Sequence, residues 1–146
     1  MRKISDFVKE GKIIKGSPNP AEARSLFAQA EERLKDVGKL PLSEKNASFR
    51  FEDAYEVIRE ALQSFLALEG YKPYSHEAVF SFALERKLLQ EGEVLKADRY
   101  REIRNDINYR GKKVAAEETG EIIGFARKVI PELRRRFEMH FSNSKK

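Results

Sequence analysis

One stripe of apolar residues limits what this chain can become. Phe51, Ala54, Tyr55, Ile58, Ala61, Leu62, Phe65 and Leu68 recur at steps of three and four, the repeat of one helix face, and Gly70 closes the run. The stripe is too wide for a helix with one wet side, so it predicts a helix covered on several sides, the centre of a bundle. The same spacing appears in Ala23, Leu26, Phe27, Ala30, Leu34 and Val37, ended by Gly38. It appears again in Val79, Phe80, Ala83 and Leu88 before Gly92, with Ser75 as N-cap and Glu77 in the first turn. A further helix is expected from about Leu95 through Tyr100, Ile103 and Ile107 to Gly111. The last presents Ile122, Ala126, Val129, Leu133 and Phe137, with Pro131 as a potential kink. No segment alternates polar and apolar residues long enough to predict a strand. The fold class is therefore all-α, an up-and-down antiparallel bundle of about five principal helices joined by short loops.

A chain of 146 residues with 40% hydrophobic residues, ten Phe and five Tyr can fill one core, and a single domain over 1–146 is expected. Its core covers about 20–137, preceded by a short amphipathic segment over 1–16 with Ile4, Phe7, Val8 and Ile13 on its apolar side. Gly16-Ser17-Pro18-Asn19-Pro20 is punctuation within the domain, and 141–146 is expected to fray. The net charge of +5, from 29 basic and 24 acidic groups, permits an anionic partner without requiring one. Zero Cys excludes disulfides and thiolate metal sites, and no cofactor loop or metal-ligand spacing is visible. The absence of an apolar run of about 20 residues argues against a membrane span and for a cytoplasmic protein.

The segment Phe49-Arg50-Phe51-Glu52-Asp53-Ala54-Tyr55-Glu56-Val57-Ile58-Arg59-Glu60-Ala61-Leu62-Gln63 is aromatic and alanine-rich. It is followed in order by Gly70-Tyr71-Lys72-Pro73, Ser75-His76-Glu77-Ala78-Val79 and Arg104-Asn105-Asp106-Ile107-Asn108-Tyr109-Arg110-Gly111. In this order and helical setting, over roughly Pro20 to Phe137, the chain resembles the HEPN family (higher eukaryotes and prokaryotes nucleotide-binding). The resemblance implies a helical bundle, a two-fold homodimer whose motifs face one cleft, and metal-independent RNA chemistry using an Arg and, four to six residues later, a His. Similarity places the Arg at Arg104 and the polar next residue at Asn105, but Tyr109 stands where the His belongs. His76 and His140 fall outside that window.

The substitution matters chemically. An imidazole with a pKa near ~6.5 exchanges protons at neutral pH, whereas a phenol near ~10 is a poor base. Arg104 still offers a forked, permanently charged guanidinium to phosphate. The resemblance thus implies RNA or nucleotide phosphate binding at Arg104, Asn105, Asn108 and Tyr109, with little or no ribonuclease activity. An active toxin-like endoribonuclease using Arg104, Tyr109 or His76 is the alternative. A third reading is an interaction module that pairs with a small nucleotidyltransferase antitoxin.

Each residue also has a plainer reading. Arg104 could pair with Glu102, Asp106 or an acid on another helix. Tyr109 is expected to close the core with its ring while its hydroxyl meets water. His76, beside the positive end of a helix, is expected to have a lowered pKa and to cap the preceding turn. Arg134-Arg135-Arg136 with Lys145-Lys146 forms a basic terminus that could touch phosphates but is expected to complement the negative end of the last helix, and His140 to carry no role.

Overall fold

A computed structural model describes residues 1–144, and Lys145 and Lys146 lie outside the described residues. The chain folds as α1 (Ile4–Lys9), β1 (Ile13–Lys15), α2 (Pro20–Val37), α3 (Ala47–Glu69), β2 (Tyr71–Pro73), α4 (His76–Glu85), α5 (Glu91–Arg110) and α6 (Ala116–Ser144). The expected helical bundle is present, with α2–α6 as its principal helices.

The wide stripe makes α3 the centre. Phe51, Ala54, Tyr55, Ile58, Ala61 and Leu62 are completely buried, and α2, α4, α5 and α6 all pack on this helix. Two aromatic clusters join the layers. Phe27, Phe65 and Phe137 bring together α2, α3 and α6, with Phe27 and Phe137 centroids 4.9 Å apart. Phe51, Tyr100 and Phe125 bring together α3, α5 and α6. Side-chain pairs give the directions. Arg33–Glu60 with Phe27–Phe65 makes α2 and α3 antiparallel, and Lys128–Glu93 with Tyr100–Phe125 does the same for α5 and α6. In contrast, α6 runs parallel to α3, because Thr119 donates to the Ala47 carbonyl at one end while Phe137 meets Phe65 at the other.

Helix ends follow local chemistry. Asn19 Oδ1 accepts from the Glu22 amide at 3.0 Å, with Pro20 preset at the first helical position, and Ser75 Oγ accepts from the Ala78 amide. Gly70 and Gly111 take the left-handed conformation at the ends of α3 and α5, with φ of 86° and 65°.

Three expectations need correction. Gly92 does not end a helix: α4 stops at Glu85, Lys87 takes the left-handed position (φ 54°), and Gly92 lies in the first turn of α5. Leu88 consequently packs from the connection, still buried. The second correction is the antiparallel pair β1–β2, registered Ile13 to Pro73 and Lys15 to Tyr71. Three-residue strands are too short to show alternation in a sequence. Third, Gly16 to Pro20 is more than punctuation, because Gly16 donates to the Gly70 carbonyl at 2.7 Å and Asn19 to the Ala67 carbonyl at 2.9 Å. α6 extends through 141 as far as Ser144, with Phe141 against Phe137 and under the Arg24 guanidinium at 4.1 Å. Pro131 lies inside this continuous helix. Among the described residues, no helix is long and apolar enough to cross a membrane.

Candidate functional site

The C-terminal half of α5 and the first turn of α4 enclose an open groove of about 300 Å³. α5 contributes Arg101, Arg104, Asn105 and Tyr109, and the start of α4 contributes Ser75, His76 and Glu77. The spacing of Arg101, Arg104 and Asn105 puts them on one side of α5, and the Ser75 cap fixes where α4 begins. Four of the five residues singled out in the sequence therefore share one groove. Asn108 is the exception, standing behind Arg104.

Arg104 is half-buried and carries no ion pair among the described residues. The expected partners are otherwise placed: Glu102 is exposed, and Asp106 faces Arg110 at 3.8 Å. The guanidinium carbon lies 5.8 Å from the centre of the Tyr55 ring. With its amide turned to satisfy its neighbours, Asn108 donates to Glu52 and places its oxygen 3.1, 3.3 and 3.2 Å from the three guanidinium nitrogens of Arg104. An oxygen nearly equidistant from all three nitrogens sits over the face of the group. The in-plane N–H fork is then not consumed by Asn108, and it is this fork that matches a phosphate.

His76 is held from beneath. The Tyr55 hydroxyl and His76 Nδ1 are 3.0 Å apart, with ring centroids separated by 5.8 Å. A phenol O–H is the better donor and an imidazole nitrogen the better acceptor, so Tyr55 donates and the proton of neutral His76 sits on Nε2. Burial lowers the His76 pKa to about 4, helped by the positive charges of Arg59, Arg104 and Arg101 and opposed by Glu56. The sequence expectation of a lowered pKa holds, but desolvation is its leading cause. His76 bonds to Tyr55 on α3 in place of capping the preceding turn; Ser75 does the capping. Burial likewise pushes the Tyr55 phenol well above its usual range.

Most other charges nearby are matched. Arg59 grips Glu56 through two bonds, the shorter 2.6 Å. Burial alone would raise the Glu56 carboxyl, and the Arg59 hydrogen bond and charge more than reverse that. Arg101 binds Asp98 at 2.8 Å; burial would lower its pKa, but Asp98, with Glu77 adding to it, raises it. Arg104 and Glu77 thus remain as the lining charges held in no ion pair among the described residues. Among the described residues no cluster of His, Cys, Asp and Glu is suited to a metal ion.

Tyr109 corrects its expectation. It is 80% exposed and does not close the core, because the last turn of α5 extends past the bundle and residues 108–110 are all exposed. The triple arginine is divided. Arg134 turns back to Glu31 on α2, whereas Arg135 and Arg136 line a separate groove of about 740 Å³ with His140 and the α4–α5 connection. Tyr55, Glu56, Arg59 and Glu52 were not visible as site residues in the sequence. The available signal was the pair Glu56 and Arg59, polar positions that interrupt the apolar centre of α3. No family model, curated protein or solved structure matches the chain.

Proposed function

We propose that this groove binds a phosphate of RNA or of a nucleotide, as the HEPN resemblance implies, and that it does so with little or no cleavage. One observation carries the reading: Arg104 is presented to an open polar groove with no ion pair among the described residues. Removing a surface guanidinium from water without a partner is costly, so a side chain held in this way suits an anion that arrives from outside. Asn105 and the neutral Nε2–H of His76 supply uncharged donors at the same place. Glu77 on the rim limits how much negative charge the groove accepts, which favours a single phosphate.

Binding is favoured over cleavage for a chemical reason. General base catalysis works best with a pKa near the operating pH, and an imidazole held at about 4 has little affinity for a proton at pH 7. Tyr109, which the resemblance puts in the place of the motif His, has its ring 80% exposed. Two copies related by a two-fold axis would bring a pair of Arg104 side chains to one cleft and strengthen the same site.

Arg104→Ala tests the reading. The variant is expected to retain its helical circular dichroism and to bind a labelled RNA oligonucleotide about tenfold more weakly, with a salt slope smaller by about one. Equal affinity in wild type and variant for both RNA and ATP removes the site. The specific observation favouring ribonuclease activity is that His76 shares the groove with Arg104. Cleavage of RNA in EDTA that disappears in both Arg104→Ala and His76→Ala would establish that reading instead.

A further inference from the structure

We propose that Tyr109 is a base-stacking surface, so that the groove takes an unpaired nucleotide of single-stranded RNA and discriminates against duplex. The inference rests on the phosphate reading of Arg104 and goes beyond it by assigning the adjoining part of the ligand.

Tyr109 has no structural work to do. Its ring is 80% exposed, and no hydrogen bond or ring contact joins it to the other described residues. An aromatic ring left in water at a helix end forgoes the burial that usually holds it. Yet Tyr109 lines the same groove as Arg104. Five residues separate them on α5, a rise of about 7.5 Å along the axis. A phosphate on the Arg104 fork and the base of the same nucleotide on the Tyr109 ring would follow that rise. Hydrogen bonding by the hydroxyl alone would not explain a ring presented so openly.

Tyr109 is thus an exposed ring in the same groove as the Arg104 guanidinium. Basic groups that follow a backbone, with aromatic faces for successive bases, are the general arrangement for single-stranded nucleic acid. A duplex keeps its base faces stacked inside and offers Tyr109 nothing but its backbone.

The experiment compares wild type, Tyr109→Phe, Tyr109→Ala and Arg104→Ala in fluorescence anisotropy titrations of full-length protein. The probes are a labelled ten-nucleotide single-stranded RNA and an RNA duplex of the same length, over several salt concentrations. Stacking predicts that Tyr109→Ala weakens the single strand about tenfold or more without changing the salt slope, that Tyr109→Phe binds like wild type, and that duplex binding is weaker and insensitive to Tyr109. If Arg104→Ala weakens binding but Tyr109→Ala does not, stacking is refuted and the phosphate site stands. Loss of binding in Tyr109→Phe equal to that in Tyr109→Ala also refutes stacking, because the hydroxyl is then the contact. Absence of RNA binding by the wild type overturns both.

Discussion

The Tyr55 hydroxyl and His76 Nδ1 lie 3.0 Å apart, joining the buried centre of α3 to the first turn of α4 at the floor of the groove. Burial at this contact holds His76 in its neutral form, so it has a consequence for stability against pH. The folded pKa of about 4 lies below the ordinary 6.5. The unfolded chain therefore takes up a proton first as pH falls. The contribution of neutral His76 is complete above about pH 6.5, declines between 6.5 and 4, and does not decline further below that window. Urea unfolding should show the advantage of wild type over His76→Gln shrinking from pH 7 to pH 4. A His76 ring titration in NMR with its midpoint at 6 or above would contradict this account.

Glu60 makes the opposite contribution. Its side chain is 3% exposed, and Arg33 Nε donates to it at 2.7 Å, while its other oxygen is buried without a hydrogen-bond partner among the described residues. Burial raises the carboxyl pKa, with Arg33 opposing. Removing Arg33 would strand a buried acid, so Arg33→Ala should cost roughly 3 kcal/mol at pH 7, and Glu60→Gln less. Because the Glu60 pKa is raised on folding, the penalty in Arg33→Ala should ease as pH falls towards 5. Denaturant midpoints at the two pH values measure this, and an unchanged penalty would count against a raised carboxyl.

Gly70 and Gly111 share a backbone conformation but not an environment. A Cβ on Gly70 would strike the Gly16 carbonyl and lie 2.7 Å from the Ser17 carbonyl carbon, whereas one on Gly111 would meet nothing within 4 Å. Gly111→Ala should therefore cost only the conformational term of about 1 kcal/mol. Gly70→Ala should cost several-fold more and loosen the Gly16–Gly70 bond, visible as faster amide exchange at Gly16. Equal thermal shifts in the two variants would show that the close approach is unimportant.

Phe27 and Phe49 separate core from surface. Phe27 is fully buried against Phe65 and Phe137, so Phe27→Ala should destabilise by about 3–5 kcal/mol. Phe49 is 71% exposed, and Phe49→Ala should stay within about 0.5 kcal/mol of wild type. Chemical denaturation of both variants checks the contrast.

Periodicity made the bundle legible because a helix repeats its environment every three to four residues, and the burial of α3 follows the stripe from Phe51 to Leu68. Glycine and Ser75 marked most helix ends for equally local reasons. Gly92 misled because the left-handed position went to Lys87, with Leu88 buried next to it, and Gly92 fell in the first turn of α5. The two short strands were invisible because their pairing joins Ile13 to Pro73 across most of the N-terminal half of the chain.

The segment Arg104 to Tyr109 combines both kinds of information. Sequence alone determined that it is helical, that it holds an arginine suited to phosphate, and that a tyrosine stands five positions after that arginine, since these are properties of residue type and spacing. Only the tertiary structure decided that Arg104 forms no ion pair among the described residues, that His76 arrives from α4, and that Tyr109 stands in water. Partners and exposure depend on which helices meet, and meeting is set by the packing of distant apolar faces on α3. A linear pattern records each of those faces but not their arrangement around one another.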